Sequence, residues 1–358
     1  MLKGHGGNLY EAALAAGIDP ASVLDFSASV NRIADRGLLK KWLAEAADCI
    51  GDYPDPEYHH LRKLIGERYA ISADSLLPGN GSTELLYLIP RVFGVKKGLV
   101  VAPSYADYAD ALRLAGAGVD KMYLHKNSLF SLSMQKLDEQ MREGFDIVII
   151  GNPNNPTGTS CEPEALRSFI AAHQDTLFLI DESFADFTPA LSMLPDIPAN
   201  AVVLRSFTKF YGIPGLRAGF AAAAPGVIEK LKAAKEPWTL NSAAEHVCRR
   251  LLNGGMDDEK MRSETALQRG RLAEALKRIA GLKVFAAPAN YLLVEIESKI
   301  LTAGELKARL LSEEKILIRD CANFDGLDPY WLRVAVRGEA DNVRLAEALK
   351  GVLCTPSQ

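Results

Sequence analysis

The chain has 358 residues, 48% of them apolar, and a formal net charge of −4, which allows one large core or two smaller ones and offers no Lys/Arg block for nucleic acid or anionic lipid. The five cysteines (Cys49, Cys161, Cys248, Cys321, Cys354) lie far apart with no C-x-x-C, so they read as reduced thiols and not as a disulfide framework or metal site. No secretory h-region opens the chain and no apolar run approaches about 18 residues, so a cytoplasmic protein without membrane or metal partners is expected.

In chain order, the first element is a helix-like stretch, Leu9–Ala16, after His5-Gly6-Gly7-Asn8. From about residue 76 to 224, short apolar runs alternate with helical patterns. The runs 98–102, 147–150, 177–180 and 202–204 are too short for helices and read as strands. Helical patterns occupy 84–93, 106–115 and 163–173 between them. Such alternation predicts an α/β fold with a mainly parallel sheet covered on both faces. After Gly226 a charged helix over 263–280, strands over 290–295 and 331–336, and a last helix over 339–349 describe a smaller α+β unit. The expected division is a large domain over 46–235 and a small one built from 1–45 with 236–358.

Five motifs carry chemistry, each beside a predicted strand end or helix start. Pro78-Gly-Asn-Gly81-Ser82-Thr83-Glu84 is a glycine-rich turn entering a helix, where Ser82 or Thr83 can cap and exposed N–H groups suit a phosphate. Pro103-Ser-Tyr105-Ala-Asp-Tyr108 offers Tyr105 as a stacking ring. Gly151-Asn-Pro-Asn-Asn155-Pro-Thr-Gly158 puts side-chain amides at the carboxyl edge of the sheet, where α/β proteins bind ligands. Asp181, in Asp181-Glu-Ser-Phe184, ends an apolar strand and is costly to bury without a cation. Ser206-Phe-Thr208-Lys209-Phe-Tyr-Gly-Ile-Pro-Gly-Leu-Arg217 sets one amine beside two hydroxyls and an arginine. A lysine for the cofactor aldehyde, donors for its phosphate and an acid for its ring nitrogen are what pyridoxal 5'-phosphate (PLP) requires.

In this order and spacing the chain resembles fold-type I PLP-dependent enzymes of the class I/II aminotransferase group over nearly its whole length. The resemblance implies that Lys209 bonds covalently to the cofactor and that Asp181 pairs with its ring nitrogen. It implies that Asn155 meets the phenolic oxygen and that Tyr105 stacks on the ring. Gly81, Ser82, Ser206, Thr208 and Arg217 would hold the phosphate. Tyr53 would reach the phosphate of a neighbouring subunit, so a homodimer with a shared site is expected.

Two subfamilies compete. His5-Gly6-Gly-Asn, Leu24-Asp-Phe-Ser-Ala-Ser-Val-Asn31 and the segments around Asp181 and Lys209 are more similar to L-threonine-O-3-phosphate decarboxylase of cobalamin biosynthesis than to histidinol-phosphate aminotransferase. Phe184 stands where the aminotransferases usually carry tyrosine, and phenylalanine has no hydroxyl to donate. The same resemblance makes His5, Gly6 and Asn31 substrate contacts, assigns the substrate phosphate to Arg319 and its carboxylate to Arg333, and leaves Arg337 as an exposed charge. The implied reaction is decarboxylation of a small phosphorylated amino acid, L-threonine O-3-phosphate, to (R)-1-aminopropan-2-yl phosphate; the alternative is transamination. After Asn31 the family usually continues into proline, whereas Arg32 stands here.

Overall fold

The runs read as strands form the centre of a seven-stranded sheet in the computed structural model, which describes residues 6–285 and 287–354. A two-residue strand, β1 (Leu24–Asp25), comes first. The large sheet follows as β2 (Leu76–Gly79), β3 (Lys97–Ala102), β4 (Gly118–Tyr123), β5 (Ile147–Gly151), β6 (Leu177–Asp181), β7 (Ala201–Ser206) and β8 (Gly219–Ala223). The remaining strands are β9 (Leu282–Phe285), β10 (Tyr291–Ile296), β11 (Ile316–Leu317), β12 (Arg319–Asp320) and β13 (Trp331–Ala335).

The large sheet has the order β2-β8-β7-β6-β5-β3-β4, and β8 alone runs antiparallel to its neighbours. Helices cover both faces, so its central strands carry continuous apolar runs instead of alternating. Val100, Ile149, Leu179 and Val202 pack toward helices Gly81–Val92, Asp107–Leu114 and Pro225–Ala234. Their neighbours Leu99, Val148, Ile180 and Val203 pack on the other face with Leu166 and Ile170 of helix Pro163–Ala172. Each fully buried Leu or Ile here contributes about 1.5–3 kcal/mol relative to exposure.

The second sheet, β12-β13-β10-β9, is antiparallel. Leu292, Val294, Leu332 and Val334 form its core with helices Asp258–Lys277, Ala303–Glu314 and Glu339–Cys354. β1 lies parallel to β11 in a separate two-stranded sheet, with Leu24 opposite Ile316, and Ala335 N on β13 donates to Phe26 O at 2.9 Å, which ties the N-terminal segment to the second sheet. From there the segment passes a cavity, with Ala28 and Ser29 on its wall. A further cluster joins Trp42, Leu61 and Ile65 to Ala244, Val247 and Cys248 and to Phe207, Phe210 and Phe220 beneath the lysine loop. Among the described residues, no helix is long and apolar enough to cross a membrane. Nor, among them, do three His, Cys, Asp or Glu side chains gather as metal ligands would.

Candidate active site

Parallel strands end on one edge, and register decides what meets there. Gly151 lies opposite Asp181, Asp181 opposite Leu204, and Ser206 opposite Gly219, which in turn faces Gly79. Because β8 runs the other way, its first residue is on this same edge, and Arg217 just before it joins the loops that follow β2, β5, β6 and β7. Motifs distant in sequence therefore line one cavity of about 130 Å³: Ser82, Tyr105, Asn155, Asp181, Ser206, Thr208, Lys209, Arg217, Arg319 and Arg333, with Gly6 from the N-terminal segment.

One end of the cavity is an anion cradle. Helix Gly81–Val92 starts without a side-chain cap: Asn80 holds the cap position, and Ser82 and Thr83, expected to cap, line the cavity instead. That leaves the first N–H groups and the positive end of the helix dipole for a ligand. Gly81 has φ +78°, and a Cβ there would come within 2.7 Å of Arg217 Nη2. Glycine is thus required for the guanidinium to close on the helix start. The hydroxyls of Ser206 and Thr208 lie 2.7 Å apart, and Ser82 Oγ is 3.3 Å from Ser183 Oγ.

Asp181 marks the next part of the wall. Its Oδ2 accepts from Tyr108 OH at 2.8 Å, and its Oδ1 accepts from Ser183 N at 2.9 Å and Ser183 Oγ at 2.6 Å. Tyr105 stands edge-on to Tyr108, with ring centroids 5.7 Å apart. Lys209 Nζ is 6.0 Å from the centre of the Phe184 ring, which packs edge to face on Tyr291 at 5.0 Å. Burial, then Arg333 and Arg217, pull the Lys209 ammonium down to about 8, against the opposing pull of Asp181. A lysine that is partly neutral near neutral pH can condense with an aldehyde.

Two buried arginines form the third part. Arg333, on β13, donates through Nη1 to Asn155 Oδ1 and through Nη2 to Ser27 O at 2.8 Å. Its guanidinium lies 5.2 Å from the centre of the Tyr291 ring, while its Nε is buried without a hydrogen-bond partner. Arg319 sits directly opposite on β12. It donates to Asn323 Oδ1 at 2.6 Å and stacks 4.9 Å over Phe324. Among the described residues neither arginine forms an ion pair, and burial lowers the proton affinity of both, Arg319 to about 10. Gly6 fits against Arg333 because it lacks a side chain: a Cβ would lie 2.4 Å from Ser27 O and 3.3 Å from Arg333 Nη2.

Three expected site residues do not line the cavity among the described residues. His5 falls outside the described residues. Asn31 stands behind the lysine loop, its N–H donating to Lys209 O at 2.9 Å and its amide to Phe210 O at 3.0 Å. Tyr53 is 81% exposed and packs on Trp238 at 4.9 Å on the outer surface. Arg337 corrects the sequence expectation of an exposed charge. It is half-buried, pairs with Asp341 at 2.8 Å and donates to Asp25 O at 3.0 Å, because the β1 segment lies over it. Sequence reasoning also missed Tyr108, Ser183, Asn323 and Phe324. Each stands within a few positions of a residue it did identify, and that proximity was the available signal.

These groups fit PLP. The cradle could supply glycine-backed N–H groups, hydroxyls and Arg217 to a phosphate, Asp181 could accept from a ring N–H, and Lys209 offers an amine in the same cavity. An α/β sheet with this set on its carboxyl edge defines a fold-type I PLP-dependent enzyme. The chain belongs to the family Aminotransferase class I and II, which matches residues 21–349, and PLP is its cofactor. It is 34% identical to threonine-phosphate decarboxylase of Salmonella typhimurium over 98% of this chain and 96% of that protein. Two solved structures each match 92% of this chain and 99% of their own. They are histidinol-phosphate aminotransferase from Clostridium acetobutylicum (30% identity, TM-score 0.85) and L-threonine-O-3-phosphate decarboxylase from Porphyromonas gingivalis (29% identity, TM-score 0.80).

Proposed function

We propose that this enzyme decarboxylates L-threonine O-3-phosphate to (R)-1-aminopropan-2-yl phosphate and CO₂, as a step of cobalamin biosynthesis. The observation that carries the proposal is the pair Arg319 and Arg333, buried side by side without acid partners among the described residues. Among the described residues, four cations and one acid line the cavity: Lys209, Arg217, Arg319 and Arg333 against Asp181. A cofactor phosphate accounts for Arg217, and the two remaining guanidinium groups fit a substrate that carries both a phosphate and a carboxylate.

Bound PLP supplies an electron sink conjugated to the substrate Cα. Arg319, held flat by Phe324 and Asn323, takes the phosphate. Arg333, fixed by Asn155 and Ser27, takes the carboxylate and sets its angle, so that the bond from Cα to the carboxylate is the one weakened. Lys209 Nζ returns a proton to Cα. Gly6 and the segment beyond β1 cover Arg333 and exclude water from the carboxylate end. Tyr53 of a second copy would complete the phosphate cradle, so the working form is proposed to be a homodimer in the cytoplasm.

Similarity to the Salmonella decarboxylase over almost the full length of both chains supports this reading, as does Phe184 in the cavity wall. The second reading, histidinol-phosphate aminotransferase, is favoured by the close match to the Clostridium structure and by arginines that equally suit one phosphate dianion. Reaction in D₂O separates them. The decarboxylase keeps the substrate Cα–H and gains one deuterium at that carbon, whereas transamination removes the Cα–H and releases an oxo product. Loss of the Cα–H without CO₂ from O-phosphothreonine would overturn the proposal.

A further inference from the structure

Tyr108 is 2% exposed and sits in the first turn of helix Asp107–Leu114, among Leu85, Ile149 and Leu179. It stays within the apolar layer except at its hydroxyl, which donates to Asp181 Oδ2 at 2.8 Å. A carboxylate offers about four acceptor sites. Ser183 takes two on Oδ1 and Tyr108 takes one on Oδ2, which leaves one site, on Oδ2, for an N–H of the cofactor ring. Hydrogen bonds to the charged form of an acid favour that form.

We propose that Tyr108 is a positioning residue that turns Asp181 Oδ2 toward the pyridine nitrogen and, through its hydrogen bond, keeps the proton between them on the ring. The other titratable groups around Asp181 do not compete for this role. Lys209 is the amine that meets the cofactor aldehyde, and in the cofactor-free protein Asp181 opposes the loss of its proton. Tyr291 commits its hydroxyl to Asn154 O at 2.6 Å, and Tyr105 interacts with Asp107. Burial, followed by Asp181 itself, pushes the Tyr108 phenol well above its ordinary range, so it remains a donor at any working pH.

The test is the ¹⁵N chemical shift of the ring nitrogen in holoenzyme reconstituted with [¹⁵N]PLP, followed against pH. Asp181→Asn gives the unprotonated end of the scale. Tyr108→Phe retains the ring and its packing and removes only the donor. It should lower the proton affinity of the ring nitrogen about tenfold, moving the signal toward the Asp181→Asn position at the pH values where wild type is still protonated. Ser183→Ala should move it the same way. A purely structural Tyr108 would leave the titration unchanged in Tyr108→Phe, and that result would overturn the proposal.

Discussion

Replacing Arg319 by methionine should uncouple stability from catalysis. Burial, with Arg333 adding its repulsion, pulls the Arg319 guanidinium from 12.5 down to about 10. At about 1.4 kcal/mol per tenfold in proton affinity, the unliganded fold bears about 3 kcal/mol for holding this charge. Methionine preserves the contact with Phe324 and gives up the charged donor's bond to Asn323, worth about 1.5–3 kcal/mol. Asn323 is exposed and rehydrates. Arg319→Met should therefore leave the cofactor-free protein at least as stable as wild type, by up to about 1.5 kcal/mol, seen as an equal or higher urea midpoint with an unchanged slope. The same change should cost about 2–5 kcal/mol of transition-state binding for O-phosphothreonine, about 30- to 4,000-fold in kcat/KM. An unphosphorylated analogue should lose little. A less stable variant, or equal losses for both substrates, would refute the reasoning.

Other outcomes follow from the same geometry. The unfolded chain holds the Lys209 proton to about 10.4 and the folded cofactor-free protein only to about 8. The unfolded state thus binds more protons between those values, and stability should rise with pH across that window; Lys209→Met should flatten the slope. The rate of PLP uptake should climb toward pH 8 and level above it, and a pH-independent rate would contradict the amine's low proton affinity. Phe184→Tyr, by adding a donor beside the lysine, should lower the apparent pKa of the visible cofactor band; an unchanged spectral titration would show the ring is too far from the cofactor oxygen. Arg333→Lys should damage decarboxylation of O-phosphothreonine far more than binding of the product 1-aminopropan-2-yl phosphate, which has no carboxylate. Equal losses for substrate and product would remove Arg333 from carboxylate recognition.

The sheet's centre was legible because strands buried on both faces are continuous apolar runs, as at Leu99–Val101 and Ile147–Ile150. β8 was not legible for a packing reason. Its residues are Gly-Phe-Ala-Ala-Ala, with no run of large apolar side chains, and backbone crowds its first position: a Cβ at Gly219 would meet Arg205 O and Ser82 N at 2.6 Å. Edge strand β4 is half-exposed and mixed in sequence, so it carries no apolar run. The cofactor residues were readable because each stands at a strand end or helix start within a short motif. Contacts such as Tyr108 to Asp181, 73 residues apart, need the register of β3, β5 and β6 before they exist. The same holds for Arg205, fully buried in β7 between Glu182 and Asp186, because only the fold supplies its acids.

The most direct measurement gives the holoenzyme O-phosphothreonine and, separately, histidinol phosphate with 2-oxoglutarate, and compares kcat/KM for CO₂ release with that for glutamate formation. The account predicts stoichiometric CO₂ and 1-aminopropan-2-yl phosphate from the first, with little glutamate from the second. Efficient glutamate formation without CO₂ release would contradict it and assign the chain to the aminotransferases.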